Sequence, residues 1–133
     1  MDEYAALPEA GLVDTLKNKT DVDLVGYGVQ EMVHDTRWPY WTGQRVRLYA
    51  SSELISGEFV HSAEFVRLTL NPGGGTGGVC KGDSGGPNLL DGTDTVLAVS
   101  SHLTGPGFNC AGVAYSSRVD IPEILDWIEG FLP

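Results

Sequence analysis

One hydroxyl in this chain stands in a backbone stripped of bulk. Ser84 lies within GVCKGDSGGP, residues 78–87, flanked by Gly82, Gly85, Gly86 and Pro87. Two arrangements explain such a setting. A surface turn uses glycine for positive φ, proline for a fixed φ, and Asp and Ser for hydrogen bonds to their own backbone. A nucleophile site uses the missing side chains differently, because the backbone N–H groups of Gly82 and Ser84 are then free to converge about 3 Å from a developing oxyanion. Asp83 is correspondingly either an exposed turn acid or a support for those donors.

Competing chemistries fit the same residues less well. Gly73, Gly75 and Gly78 form a GxGxxG, but a dinucleotide site needs a helix next, with its N-terminus at the pyrophosphate. CKGDSGGP is no helix. GDSGG at 82–86 is also a GxSxG, yet that nucleophile elbow joins a strand to a helix, and Gly86-Pro87 stops one here. A phosphate-binding GxxxxGK[ST] is absent.

The other reactive side chains are few. His34 lies in the polar stretch VHDTRW, His61 beside a serine-rich segment, and His102 at the end of AVSSH. A general base must come within hydrogen-bond reach of the serine, and His34 and His61 read as exposed loop residues. The three histidines lack local ligand spacing, so neither a metal nor a cofactor is expected. Cys80 and Cys110 show no CxxC spacing, which disfavours zinc or a thioredoxin-type centre. They are either two buried thiols or one disulfide, whose loop closure contributes about 3–4 kcal/mol on the chain-entropy model.

The elements that must position Ser84 are strands. Apolar runs bounded by Gly, Asp, Asn and Ser predict strands over 22–29, 44–50, 64–70, 86–90, 95–103 and 112–119. Asp91-Gly92-Thr93-Asp94 is a hairpin turn between two of them. Short strands with glycine-rich connections point to an antiparallel sandwich or barrel. A helix is expected at the C-terminus, where Ile121, Ile124, Leu125 and Ile128 recur at helical spacing, with Asp120 as cap, Pro122 in the first turn and Glu123 at the capping-box position. Pro8 to Leu16 is a weaker helical turn, interrupted by Gly11.

Bulk properties narrow the partners. The 133 residues suit one domain with a real core. Eight basic against eighteen acidic residues give a net charge of −10, which argues against nucleic acid or an anionic membrane as partner. No apolar run approaches the roughly 18 residues of a membrane span. The start, MDEYAALPEAG, has neither the basic nor the apolar region of a secretion signal, so none is expected in this chain.

CKGDSGGP resembles the signature of the chymotrypsin-like, or trypsin-like, serine peptidases, and other segments agree with it in order. VGYGV resembles the early strand of that family's second barrel, AVSSH its substrate-aligning strand, and CAGVAYSSRV its pocket-closing strand; an amphipathic helix ends the fold. GGVCKGDSGGPNLL, followed by a short cysteine loop, looks most like bacterial members. The resemblance implies an all-β, six-stranded antiparallel Greek-key barrel with a C-terminal α-helix, one domain over residues 1–133. It covers only the second of the family's two barrels. The first normally supplies the general-base histidine and its orienting aspartate, and neither motif is present.

The resemblance assigns roles residue by residue. Ser84 is the nucleophile, the amides of Gly82 and Ser84 form the oxyanion hole, and Asp83 supports it through an ion pair with a freed N-terminus or a substitute. Substrate binding falls to Gly78, Val79, Lys81, Ser100, Ser101, His102 and Gly112. Gly78 stands six residues before the serine, where trypsin-type enzymes carry an aspartate, so an apolar or small side chain is expected in a neutral pocket. Gly112 keeps that pocket open, and Ser101 falls where the family has tryptophan. Cys80 and Cys110 match a disulfide bracing the pocket, which implies an oxidising, extracellular setting. The expected partner is a polypeptide substrate, with a complementary N-terminal barrel. Three readings follow: the C-terminal half of a secreted serine endopeptidase, a peptidase-like binding module without catalysis, or a chance likeness.

Overall fold

A computed structural model gives the fold and describes residues 4–34, 37–55, 63–71, 74–105 and 110–133. Its strands are β1 (Asp21–Gly26), β2 (Glu31–Val33), β3 (Tyr40–Thr42), β4 (Leu48–Glu53), β5 (Phe65–Leu70), β6 (Pro87–Leu90), β7 (Val96–Thr104) and β8 (Gly112–Arg118). The helices are α1 (Leu12–Thr15) and α2 (Pro122–Glu129). Six strands make one antiparallel sheet in the order β4-β1-β6-β7-β8-β5, and β2 pairs with β3 in a separate hairpin. The expected all-β class, with a curled six-stranded sheet and a C-terminal helix, is what the chain adopts.

Alternation explains the curl. Val22 and Leu24 on β1, Val66, Leu68 and Leu70 on β5, and Ala114 on β8 are buried on one face of the sheet. Burying one such Val or Leu stabilises by about 1.5–3 kcal/mol, so the sheet wraps its apolar face inward until its edges meet. Leu54, just past β4, bridges Leu68 of β5. The Ile55 N–H donates to the Arg67 carbonyl at 2.9 Å, and the Ser52 hydroxyl donates to the Thr69 carbonyl at 2.6 Å.

Strand limits shift from their sequence positions for local reasons. The strand expected at 44–50 instead runs from Leu48 to Glu53, because its partner β1 ends at Gly26, opposite Leu48. It continues past Ala50 into two serines because Ser52 is fully buried with its hydroxyl satisfied. β1 stops three residues short of its expected end. β2 and β3, three residues each, are too short to show periodicity and were not expected. The Asp91–Asp94 turn does join β6 to β7, with the Thr93 N–H donating to the Leu90 carbonyl at 3.0 Å and Gly92 at φ 68°. The segment from Pro8 yields only the four-residue α1, after Gly11 at φ 77°.

Asp120 does not cap α2 as its position suggested. The N-cap is Ile121, without a side-chain cap, and Pro122 opens the helix. The Asp120 carboxylate is fully buried and takes the Arg118 Nε–H at 2.8 Å, an Arg118 Nη2–H at 2.9 Å and the Val13 N–H at 2.8 Å. A buried guanidinium is the stronger claim on a carboxylate, since either charge left alone in the interior is costly. Arg118 also donates to both oxygens of Asp14 at 2.9 Å, which joins α1 to the end of β8. The hydrogen bonds that Arg118 donates to Asp120, then those to Asp14, hold the guanidinium above its already high ordinary pKa. Beyond this anchor α2 buries Leu125 and leaves Trp127 exposed, its ring 4.8 Å from that of the exposed Phe131.

The two acids therefore differ in weight. Arg118→Ala, which strands a buried carboxylate, is expected to destabilise by about 3–5 kcal/mol. Asp14→Ala, which removes a side chain that is 62% exposed, is expected to cost less than about 1 kcal/mol. Urea denaturation of both variants checks the contrast.

Candidate functional site

The loop between β5 and β6 is tied down at several points. The Asp83 N–H donates to the Cys80 carbonyl at 3.1 Å, the Gly86 N–H to the Asp83 carbonyl at 2.9 Å, and the Val29 N–H to the Lys81 carbonyl at 2.9 Å. Gly82 at φ 98° and Gly85 at φ 85° bracket Asp83 and Ser84, a backbone region that L side chains rarely adopt. The glycines of the motif are therefore conformational requirements.

Asp83 turns its side chain inward. One carboxylate oxygen accepts the Gly28 N–H at 2.7 Å and the other accepts the Cys80 N–H at 2.8 Å. A Cβ on Gly26 or on Gly28 would overlap that carboxylate. The spacing of Gly26 and Gly28 across the end of β1 is thus the space the acid occupies, a link that no local pattern announces. Asp83 is a partly buried structural acid rather than an exposed turn residue.

Ser84 itself is exposed. Its hydroxyl points at the Ser101 carbonyl at 3.4 Å, a long contact. Among the described residues, the amides of Gly82 and Ser84 donate to no acceptor, and no imidazole or carboxylate bonds the serine hydroxyl. The loop leaves two backbone donors without an acceptor among the described residues, at two exposed residues, one of them carrying the serine hydroxyl.

The β7 strand changes character beside this serine. Ser100 is part of the sheet: its carbonyl accepts the Gly85 N–H at 2.8 Å and its N–H donates to the Gly86 carbonyl at 2.9 Å. Its buried hydroxyl accepts from the Asn88 side chain at 2.8 Å. Ser101 is the bulged residue, since the register with β8 passes from Ser100↔Ser116 to His102↔Tyr115. β6 pairs with β7 only between Pro87 and Leu89, so from Ser101 onward that side of β7 has no neighbouring strand among the described residues. A bulge re-aims a strand, and here it presents an open edge beside Ser84.

Two hollows flank the loop. The smaller, about 180 Å³, is lined by Val79, Cys80, Lys81, Ser84, Ser100, Ser101, His102 and Leu103. It gathers six of the residues to which the resemblance assigned substrate binding or catalysis, and it holds no carboxylate. Gly78 and Gly112 are elsewhere. Gly78 lines the larger hollow and lies against the Leu70 side chain; Gly112, at φ 116°, makes room for the Thr104 carbonyl and the Gly105 backbone. The larger hollow, about 570 Å³, is walled by Leu24, Val25, Met32, Trp41, Leu48 and Val79, with Asp83 in its lining.

The remaining candidates fall into place around these. Cys80 and Cys110 form a disulfide with Cα atoms 5.2 Å apart, joining the serine loop to the start of β8. His102 stacks on Tyr115 with centroids 4.9 Å apart and keeps its Nδ1 3.3 Å from the Ser101 hydroxyl. It does not bond Ser84. His34 is exposed, and His61 lies outside the described residues.

No protein-family model and no curated protein sequence matches the chain. Solved structures do. A structure described as HL collagenase superimposes with a TM-score of 0.68 at 20% identity, over 96% of this chain and 55% of the collagenase. Human heparin binding protein gives 0.67 at 22% identity, over 95% of this chain and 48% of that one. A scabies mite inactivated protease paralogue gives 0.62 at 18% identity, over 95% and 50%. The fold is therefore that of the chymotrypsin-like serine proteases. The chain spans about half the length of the structures it matches.

Two measurements test the scaffold. Asp83→Ala orphans two backbone donors and is expected to cost about 1–3 kcal/mol, while Gly28→Ala is destabilising alone but close to neutral in the Asp83→Ala background. A double-mutant cycle in urea should therefore show strong coupling. Reducing the disulfide, or Cys110→Ser, is expected to lower stability by about 3–4 kcal/mol, read as a drop in denaturation midpoint.

Proposed function

We propose that this chain is the C-terminal half of a secreted serine endopeptidase of the trypsin-like type, acting when a second barrel supplies the base. The observation that carries the reading is the exposed Ser84 hydroxyl beside two backbone N–H groups with no acceptor among the described residues. In this mechanism Ser84 Oγ attacks a peptide carbonyl and its proton passes to a base outside the described residues. The amides of Gly82 and Ser84 take the charge that builds on the carbonyl oxygen. The base hands that proton to the nitrogen as the C–N bond breaks and the amine leaves; it then takes a proton from water, which attacks the acyl carbonyl and releases a carboxylic acid as Ser84 Oγ regains its proton. Fixed donors of this kind are typically worth 10²–10³ in rate each.

Substrate would lie as an added strand along the open edge at Ser101 to Leu103, since an extended peptide pairs readily with an unpaired strand. Its side chain next to the scissile bond would enter the 180 Å³ hollow. Val79, Leu103 and the disulfide favour an uncharged side chain there, and nothing in the lining can neutralise a buried cation. Asp83 lines the apolar 570 Å³ hollow, a setting that suits its role as the anchor of the oxyanion loop through a chain terminus supplied from outside. The disulfide favours an oxidising compartment, and the wording GGVCKGDSGGPNLL favours a bacterial type.

The chain alone should be a poor catalyst, because the members of a catalytic triad act as a unit and little more than oxyanion and binding effects survive loss of the base. A fluorophosphonate probe is expected to leave the isolated chain unlabelled and to label Ser84, but not Ser84→Ala, once the complementary barrel is bound. No labelling in the bound complex would replace this reading with a non-catalytic peptide-binding module.

A further inference from the structure

Basic residues are few in this chain and unevenly placed. Residues 37–52, RWPYWTGQRVRLYASS, hold three of its eight lysines and arginines and none of its eighteen acids. Within them Arg45, Val46, Arg47, Leu48 and Tyr49 form an exposed run, with Val46, Leu48 and Tyr49 at 44%, 48% and 76% of full exposure. In a protein of net charge −10 the acids already supply solubility, and cations alternating with apolar groups on the surface add nothing to it.

The run is held at both ends. The Gln30 side-chain amide donates to the Gln44 carbonyl at 2.8 Å and accepts the Gln44 N–H at 3.4 Å, while Leu48 opens β4 opposite Gly26 of β1. Arg45 and Arg47 stand between these fixed points, so ordering them on a partner costs less than ordering arginines of a free loop. Leu48 and Tyr49 also line the 570 Å³ hollow, together with the cross-strand pair Met32 and Trp41. Being exposed as well, they stand at its mouth, and the two arginines come directly before that mouth in the chain.

Arginine and the aromatic residues are enriched where proteins meet, and lysine and the acids are depleted there. A guanidinium pairs with a carboxylate in a fixed fork, and the hollow beside it calls for an apolar side chain. A nucleic acid or an anionic membrane would set an extended negative charge against the acidic remainder of the surface, whereas a polypeptide places carboxylates and one apolar side chain within a few residues of each other. We infer that residues 45–49 and the mouth of the larger hollow dock an acidic polypeptide segment, with its carboxylates on Arg45 and Arg47 and an apolar side chain in the hollow. None of residues 45–49 lines the smaller hollow at Ser84, and the inference does not depend on the reaction there.

The test uses the whole chain and fluorescein-labelled decapeptides blocked at both ends, in which a central Leu is flanked by Glu or, for comparison, by Gln; anisotropy reads binding. Blocked peptides carry no terminal charge, so the result is independent of a chain terminus at Asp83. The Glu peptide should bind about two- to tenfold tighter than the Gln peptide at about 0.05 M salt and lose that advantage at about 0.5 M. Exchanging its central Leu for Ser should weaken it about tenfold. Arg45→Gln with Arg47→Gln should abolish the preference for Glu, while Lys17→Gln with Lys19→Gln, an equal change of charge at exposed positions elsewhere, should keep it. A preference that survives the arginine pair, or falls equally in the lysine pair, overturns the role of Arg45 and Arg47. An unchanged affinity with Ser in place of Leu overturns the seat in the hollow, and a thymidine decanucleotide that binds as tightly as the Glu peptide overturns the choice of a polypeptide. Binding of neither peptide overturns the docking surface and leaves the labelling of Ser84 as a separate question.

Discussion

A single carboxylate, that of Asp83, holds together backbone segments far apart in the chain. Its two oxygens take the N–H groups of Gly28 and Cys80, so the turn after β1 and the serine loop are fixed to each other through one side chain. The loop needs such an external tie because its glycines, left to themselves, have more backbone freedom than any other residue. With Asp83 in place, Gly82 and Gly85 keep positive φ, and the amides of Gly82 and Ser84 remain outside the sheet's hydrogen bonding. The disulfide ties the same loop to the segment just before β8.

Two adjacent residues of this loop line different hollows. The apolar one reaches the Asp83 carboxylate, and Ser84 follows Asp83 directly. Asp83 lines the larger hollow and Ser84 the smaller, on a sheet whose edges meet at Leu54 and Leu68.

Much of this was legible in the residues, unevenly. The GDSGGP run called for a loop with positive φ, and free amides belonged to one of the two arrangements that fit it; the six longer strands followed from alternation and turn residues. What stayed hidden was decided at a distance. Gly26 and Gly28 read as part of the strand expected over 22–29 until Asp83 is seen in the space their missing side chains leave. Asp120 looked like a helix cap because the competing partner, Arg118, faces it only in the folded barrel. The bulge at Ser101 arises from unequal pairing of β7 with β8, and no residue type signals it. β2 and β3 exist by pairing with each other, without a period long enough to read.

Curling the sheet until its edges touch removes most of the places where a foreign strand could add. On one side the stretch of β7 past Ser100 has no strand partner among the described residues, so the segment suited to hold an extended polypeptide is equally a template for unwanted association between copies at high concentration. The net charge of −10 opposes that encounter by mutual repulsion. Self-association at that strand should accordingly grow as salt or acid weakens the repulsion, which makes the acidity of this chain a guard on its own exposed backbone.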